Sequence, residues 1–563
     1  ASDLSQADVC DGSTQKIYEW INRAAEDAQI SRRDAIVESF PQGPHVKSLK
    51  MVDIVVVTPD ITEASHGTVG EFKYVKARNA TFKGIQRGTS PSDCIKNPAA
   101  VKEISNDPNG PRYGRPCHRF GPPVALFSPP LALLKHQLDH LELLTPDPST
   151  LDNAFDFVAQ SADFHDNEHA REAALKPILG HLLPGDAQWQ ELTEGGKAKI
   201  DGAWTRDIFT YLIFELKNEQ GLGGDPFLQG LVSYGKIVAQ DKYAPYRERS
   251  NLPAILLAVA GNRLVVSAAI FTNKVYAEEL LSVTLRLGPH GSANVLRVGR
   301  VFMAINQAMG RLIGLYSGLL LGSRSLPPQT VALWPRPTIY PSKTQSIPKL
   351  EFFAKVDRVT GKPLLEIDED NEPHAMYLAR MQVKTSTQAK GSTHEVFVKF
   401  APNYNEAAHR LLASQKPPLA PALHFCARVI GDMYMVVMEY IPESRGRSAD
   451  TKVYDYGPPL PPNLPQIVQQ EVHKALRLLH EQQLVFGDLR EPNLLYLPES
   501  GGRILLVDFD MVGGDGEATY SACLNPKGGF APGVRRGQVM KKEHDFGNLQ
   551  MVLERLRLAL ARA

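Results

Sequence analysis

The sequence predicts a multidomain chain of mixed α/β and α+β class. Three observations point there. At 563 residues the chain is too long for one ordinary hydrophobic core. Its composition, 43% apolar and 22% charged, is that of a folded globular protein. Helical periodicities alternate with short apolar runs bounded by turn residues, first in the middle of the chain and again, after a Pro- and Ser-rich stretch, over roughly the last 215 residues.

Charge and cysteine usage narrow the class. Lys+Arg and Asp+Glu both number 62, which excludes a globally polybasic or polyacidic chain and leaves only local patches. The five cysteines (Cys10, Cys94, Cys117, Cys426, Cys523) are few, odd in number and without ligand spacing, which argues against a disulfide scaffold or a zinc knuckle. No apolar run reaches 18 residues, and the first thirty residues lack the apolar core of a signal peptide. An intracellular location, nuclear or cytoplasmic, is therefore expected, with no membrane partner. The chain begins with Ala, as a processed or trimmed chain does, so an upstream targeting segment is left open.

Residues 1–125 are expected to form an N-terminal α/β region. Ile17, Trp20, Ile21 and Ala24 recur at helical spacing, and "VDIVVVTPD" at 52–60 reads as a buried strand ending in a turn. Residues 72–119 hold ten Lys/Arg against three Asp/Glu and read as a loop-rich basic segment, either solvated surface or a strip that contacts a phosphate backbone. A second domain is expected over 126–322. Its helices are read at 129–144, at 167–183 and at roughly 301–320. Its apolar strands are read at 210–216, 254–260 and 263–271, the last two joined by a Gly-Asn pair that favours a tight hairpin. Residues 323–348 read as a linker or wrapping segment. The domain expected over 349–563 follows. No internal repeat is visible.

The second domain carries one constellation. On a strand, Glu215 and Lys217 point to one face and Phe214 and Leu216 to the other. A charged face among such neighbours is costly unless it is used or paired. Asp201 lies 14 residues upstream of Glu215 on a plausible neighbouring strand. The two carboxylates would hold Mg²⁺, a hard cation that wants oxygen ligands, and Lys217 would orient a water or stabilise charge developing on phosphorus. Gln229 falls on the next helix with Tyr234 close behind, and Glu172 on the preceding helix would add a carboxylate. Asp201, then Glu215-Leu216-Lys217, then Gln229 resembles the PD-(D/E)xK nuclease superfamily over about 160–280, with Ile200 standing where that pattern has Pro. The resemblance implies a restriction-endonuclease-like α/β core that binds DNA or RNA and cuts it with Mg²⁺. A structural salt-bridge cluster, or a fold of this type without activity, is the alternative.

The last domain carries a second constellation. Asp488 would take the proton of an attacking hydroxyl. Asn493, five residues on, and Asp508, fifteen further, would hold Mg²⁺ against nucleotide phosphates, with Arg490 near the transferred group. Lys399 in "HEVFVKF" would pair with α/β phosphates, and Glu406 in the following helical segment would fix Lys399. "MYMVVMEYI" at 433–441 reads as a strand entering a hinge, where backbone groups of Glu439 and Ile441 would meet an adenine edge. Asp545 in "HDFGNL" would brace the loop that carries Asp488. This is the protein-kinase-like order of elements. "GDLREPN" and "DFD" resemble the fungal-type protein kinase family over about 350–563, and "ELKNEQG" with "DPFLQ" resembles the region that precedes the kinase in such proteins. A nuclease-like module before a kinase-like one also resembles, more loosely, Crinkler-type effectors. The resemblance implies a compact two-lobed protein-kinase-like domain with a truncated C-lobe, ATP and Mg as cofactors, and a protein Ser/Thr hydroxyl as acceptor.

Departures from that pattern are clear. Phe486-Gly487 stands where protein kinases have His-Arg, and this Gly-Asp form, shared with aminoglycoside and choline kinases, keeps a small-molecule acceptor open. Asp510 replaces the Gly of D-F-G. No G-x-G-x-x-G precedes Lys399, and "KTSTQAKGST" at 384–393 takes the place of the covering loop. Only 18 residues follow Asp545, and "YSACLNPKGG" at 520–529 stands where an activation segment would be. "MVGGDGEA" at 511–518 reads as a flexible loop, and His409 and His480 as packed or surface histidines. Three readings therefore stand: an ATP-dependent phosphotransferase, Ser/Thr protein kinase-like, joined to a nuclease-like nucleic-acid-binding module; a scaffold in which both modules only bind; or a small-molecule kinase. Acceptor, coupling and oligomeric state are left open.

Overall fold

The computed structural model describes residues 77–185, 187–192, 199–221, 224–321, 332–340, 346–358, 360–364, 367, 371–383, 392–450 and 460–561. The chain divides into a unit of residues 1–72 and a unit of residues 73–563, and all described residues belong to the second. The helix and strand expected within the first sixty residues lie outside the described residues, as does 384–391 of the expected covering loop. The mixed α/β class is observed.

The unit begins with a helix over residues 77–87 (α1), then Pro91–Ile95 (α2) and Pro98–Asn106 (α3). Local chemistry dictates the last two. Ser90 and Asn97 cap them by accepting the Asp93 and Ala100 N–H groups, and a proline occupies the first turn of each. The segment expected to be loop-rich is thus largely helical where described, because caps outweigh the local count of turn formers. Its basicity is also partly internal. Arg78, Arg112 and Arg119 are buried. Arg78 donates to the carbonyls of Thr272 and Phe271, and Arg119 to those of Ser105 and Asp107.

Three helices follow, Pro129–Asp139 (α4), Pro148–Ala162 (α5) and Glu168–Leu182 (α6). A six-stranded sheet comes next: Ala187–Leu192 (β1), Lys199–Arg206 (β2), Phe209–Lys217 (β3), Ala254–Ala260 (β4), Arg263–Phe271 (β5) and Val275–Thr284 (β6), in that spatial order. Only β3 and β4 run parallel, and the helix Pro226–Val238 (α7) makes the crossover that parallel pairing requires. Every residue of β3 is buried, as befits a central strand covered on both faces. The β4–β5 turn is Gly261-Asn262, with Gly261 at φ +51°. The helix Gly291–Leu321 (α8) begins ten residues before its expected start. Val298, Phe302, Ile305, Met309, Leu312 and Tyr316 form its buried stripe, while the Gly- and Ser-containing first turns hid its beginning from periodicity.

The expected linker or wrapping segment packs over 332–340. Leu333 and Trp334 are buried, Arg336 N–H donates to Leu126 O at 2.7 Å, and Ile430 N–H donates to Thr338 O at 2.8 Å. A second, antiparallel sheet has the order β10-β11-β9-β8-β7, built from Leu350–Lys355 (β7), Met376–Val383 (β8), Ser392–Ala401 (β9), Leu423–Val429 (β10) and Met433–Glu439 (β11). One apolar core runs from the first sheet through Leu333 and Trp334 to Tyr377, Val398 and Val437 of the second. A buried ionic contact reinforces this junction: Glu372 takes Arg112 Nε on Oε2 at 2.5 Å and Lys274 Nζ on Oε1 at 2.6 Å.

The remaining elements are Glu406–Ala413 (α9), Arg447–Ser448 (β12), Leu464–Glu481 (α10), Leu484–Val485 (β13), Leu494–Leu497 (β14), Arg503–Leu506 (β15), Gly513–Gly514 (β16) and Lys542–Leu560 (α11). Within the stretch expected to be a flexible loop, Gly513 and Gly514 instead pair with Val485 and Leu484. Among the described residues no helix is long and apolar enough to cross a membrane.

Candidate functional site

Lys399, Glu439, Ile441, Asn493 and Asp508 line one cleft of about 190 Å³, with Met376 and Leu495 among its apolar walls. Separate elements deliver them. Lys399 sits on β9, Glu439 ends β11, Asn493 precedes β14 and Asp508 follows β15. Of the Glu439 backbone groups expected at an adenine edge, the N–H is already committed to Ala422 O at 2.8 Å.

Lys399 Nζ lies 2.7 Å from Asp508 Oδ1 and 2.7 Å from Asp510 Oδ2. The expected Lys399–Glu406 pair is not formed. Glu406 is the first residue of α9, and its carboxylate runs along the helix surface to Arg410, four residues on, at 2.7 Å. Burial opposes the Lys399 charge, but Asp508 and Asp510 outweigh it and hold the ammonium above its ordinary pKa. Burial likewise raises the Asp510 carboxyl, Lys399 pulls it back in part, and the Asp508 charge adds to the rise. Asp508 is lowered because Lys399 overcomes its burial.

The loop that carries Asp488 is held from three sides. Arg490 donates from Nε to Asp488 Oδ1 and from Nη2 to Oδ2, and Asn493 Nδ2 donates to Asp488 O at 2.8 Å and Oδ2 at 2.9 Å. Burial raises the Asp488 carboxyl, and Arg490 and Asn493 restrain that rise. Below the loop, fully buried Asp545 accepts Phe486 N–H at 2.8 Å, Gly487 N–H at 2.9 Å and His480 Nε2 at 2.9 Å. This is the bracing expected of Asp545, and His480 serves it. Gly487 has φ +80°, and a Cβ there would stand 3.0 Å from Met511 O, so the Phe-Gly departure is required by this loop's path. His409 is packed as expected. It stacks on Phe509 at 4.6 Å, bonds Tyr404 and the Pro421 carbonyl, and is pushed by burial down to about 4.

Oxygen donors dominate the site. Asn493 spends its amide nitrogen on Asp488, so Oδ1 is the oxygen it could offer a ligand, and Asp510 Oδ1 is buried with no hydrogen-bond partner. Such a set suits Mg²⁺, which binds through one or two carboxylates together with substrate phosphates. Among the described residues no group of three or more His, Cys, Asp or Glu is spaced to hold a metal ion. Next to the cleft, Arg490, Asp510, Ser521 and Phe530 help line a second cavity of about 250 Å³, with the Arg490 guanidinium 5.3 Å from the Phe530 ring centre.

The first sheet gathers the other constellation. Glu215, at 1% exposure, takes Gln229 Nε2 on Oε2 at 2.8 Å and Ser233 Oγ on Oε1 at 2.9 Å. Asp201 Oδ2 accepts Leu216 N–H at 2.8 Å. Burial, then the neighbouring Asp201 charge, raises the Glu215 carboxyl well above its usual range, and burial raises Asp201 as well. Lys217 is held by Glu168 at 3.1 Å. Glu172, the carboxylate expected from that helix, lies four residues further along α6, close enough to act on the Asp201 charge. Tyr234 instead supports the fold, donating to Leu252 O at 2.7 Å. Glu168 and Ser233 were not read from the sequence. Glu168 shares a helix face with Glu172, four residues away, which is the signal that would have found it.

No protein-family model matches the sequence, and no curated protein matches it. Among solved structures the chain is similar to the Cydia pomonella granulovirus kinase PK-1, with 16% identity over 38% of this chain and 71% of that one and a TM-score of 0.28. It is also similar to the PknI kinase domain of Mycobacterium tuberculosis, with 18% identity over 33% of this chain and 70% of that one and a TM-score of 0.23.

Proposed function

We propose that the cleft between β9, β11 and the Asp488 loop binds ATP with Mg²⁺ and transfers the γ-phosphate to a hydroxyl, most naturally a protein Ser or Thr. The observation that carries this reading is that Lys399, Asn493 and Asp508 line one cleft, with Asp510 paired to Lys399 and Asp488 bonded to Asn493. Lys399 neutralises phosphate charge. Asn493 and Asp508 would hold the cation, which when bound withdraws charge from the phosphate oxygens. Asp488 takes the acceptor's proton as the acceptor oxygen bonds to the γ-phosphorus and the bond to ADP breaks, and Arg490 keeps that carboxylate ionised and aimed. The cavity beside Arg490 and Phe530 is where the acceptor enters. The test is transfer from γ-labelled ATP by wild type and Asp488→Asn. Transfer is expected to vanish in the variant while ATP binding changes by no more than a few-fold. Retained transfer overturns the role of Asp488.

A second reading applies to the first sheet. The order α6, β1 to β3, Gln229-bearing α7 and β4, with Asp201, Glu215, Lys217 and Gln229 brought together, supports a nuclease-like nucleic-acid-binding module. Nicking of plasmid DNA or cleavage of RNA with Mg²⁺, lost in Glu215→Ala and Lys217→Ala, is the expected result for an active module. Binding without cleavage identifies the binding-only form. Neither binding nor cleavage removes the reading.

A further inference from the structure

We propose that Asp510 is the positioning residue that anchors Lys399, the role the sequence reading gave to Glu406. The inference rests on the phosphotransfer reading of the cleft. Its geometric basis is direct: Asp510 Oδ2 is 2.7 Å from Lys399 Nζ, whereas the Glu406 side chain is 42% exposed and bound to Arg410. Chemistry explains why a second carboxylate is needed. Lys399 also rests on Asp508, yet in the phosphotransfer reading Asp508 is the carboxylate that would hold the cation. A lysine held by Asp508 alone would then lose its anchor. Asp510 supplies one that does not compete with the cation for Asp508.

The fold holds Asp510 in place for this. Asp508 takes a left-handed conformation, φ 70°, from which the turn Phe509–Met511 projects Asp510 back toward β9. Phe509 stacks on His409 of α9 with an interplanar angle of 6°, packs edge-on against Phe486, and its carbonyl accepts Asn405 N–H at 3.1 Å. The helix that was expected to reach Lys399 through Glu406 thus reaches it through Phe509 and the turn. The groups that face this pair are Asp508 from the end of β15 and Tyr404 from the β9–α9 connection, Asp488 and Arg490 of the loop act on Asp508, and the only cation touching Asp510 among the described contacts is Lys399.

The experiment reads Lys399 itself, not only activity. Full-length protein without nucleotide is treated with acetic anhydride across pH 8 to 11, and acetylation of Lys399 is followed by peptide mass spectrometry. In wild type Lys399 reacts slowly, because its ammonium is held between Asp508 and Asp510. In Asp510→Asn, which frees one side of the ammonium, its reaction at a given pH is expected to accelerate by about tenfold, while Glu406→Gln leaves the Lys399 profile at wild type. Asp510→Glu, which keeps the carboxylate, restores slow reaction. Melting curves establish that each variant is folded, and Asp510→Ser replaces Asp510→Asn if the latter is not. A steady-state companion measurement is expected to show a raised KM for ATP and a lower kcat in Asp510→Asn. An unchanged Lys399 profile in folded Asp510→Asn or Asp510→Ser, or acceleration in Glu406→Gln instead, overturns the anchor. Wild type that transfers no phosphate but shows the expected labelling pattern overturns the phosphotransfer reading and leaves the anchor standing.

Discussion

The Arg490 guanidinium holds both carboxylate oxygens of Asp488, Nε on Oδ1 at 2.5 Å and Nη2 on Oδ2 at 2.7 Å. A bidentate, charge-assisted contact of this kind favours the ionised carboxylate against the burial that raises it. Removing the guanidinium by Arg490→Met therefore raises the Asp488 pKa further. Asp488 accepts a proton only when ionised, so the acid limb of the rate profile moves to higher pH. The check is kcat/KM for phosphate transfer against pH in both proteins. A limb that stays in place refutes the pairing's role.

Asp545 concentrates three hydrogen bonds on one fully buried carboxylate, two of them from backbone N–H groups of the loop that carries Asp488. Asp545→Ala leaves the Phe486 and Gly487 N–H groups buried without this acceptor. The expected loss is about 3 kcal/mol of stability, since a hydrogen bond to a charged group counts for about 1.5–3 kcal/mol and an unsatisfied buried donor for about 1–3 kcal/mol. Urea unfolding measures it. Phosphate transfer should fall by more than tenfold under conditions where the variant is still folded.

Glu215 offers a test in the first sheet by pH alone. Its folded pKa lies above its unfolded value, so an unfolded chain releases this proton first. The sign follows: below pH about 4.5 both states are protonated and nothing is lost, and stability falls as pH rises from there through the folded pKa. Glu215→Gln keeps the shape and removes the titration. The variant is expected to gain on wild type between pH 5 and pH 8 in denaturant midpoints. A difference that does not change with pH contradicts a raised Glu215.

Glu372 is 1% exposed and holds two cations, Arg112 from the segment before α4 and Lys274 from the β5–β6 turn. Glu372→Ala removes the shared carboxylate from both. Breaking a buried pair from one side costs about 3–5 kcal/mol. Because one core crosses this junction, the loss should appear as a lower single unfolding midpoint, read by urea titration. A loss below about 1 kcal/mol would show that hydration replaces the carboxylate.

Legibility of the site followed chain distance. Asp488, Asn493 and Asp508 sit within short motifs whose spacing is itself the signal, and the structure puts Asn493 and Asp508 on one cleft with Asp488 bonded to Asn493. The strands β4 and β5 matched their expected bounds because a continuous apolar run between turn residues has one reading. The start of α8 and the helices α2 and α3 were missed because caps, glycines and polar turns interrupt periodicity without interrupting the backbone hydrogen bonds.

Local order along the chain determined the elements, their sequence and the identity of the chemistry-bearing residues: a lysine on a strand, a D-x-x-x-x-N loop, a D-F-D turn, a buried Asp beneath the loop. Pairing between remote segments was decided only by the tertiary structure. Lys399 could meet Glu406 or Asp510, and the left-handed turn at Asp508 settles it for Asp510. Lys217 could meet Glu172 or Glu168, and the packing of α6 beside β3 brings Glu168 to it. Arg112 could face solvent or the core, and the junction with Glu372 turns it inward. The reason is physical. A charge chooses its partner by distance and desolvation, and both depend on packing that no single segment contains.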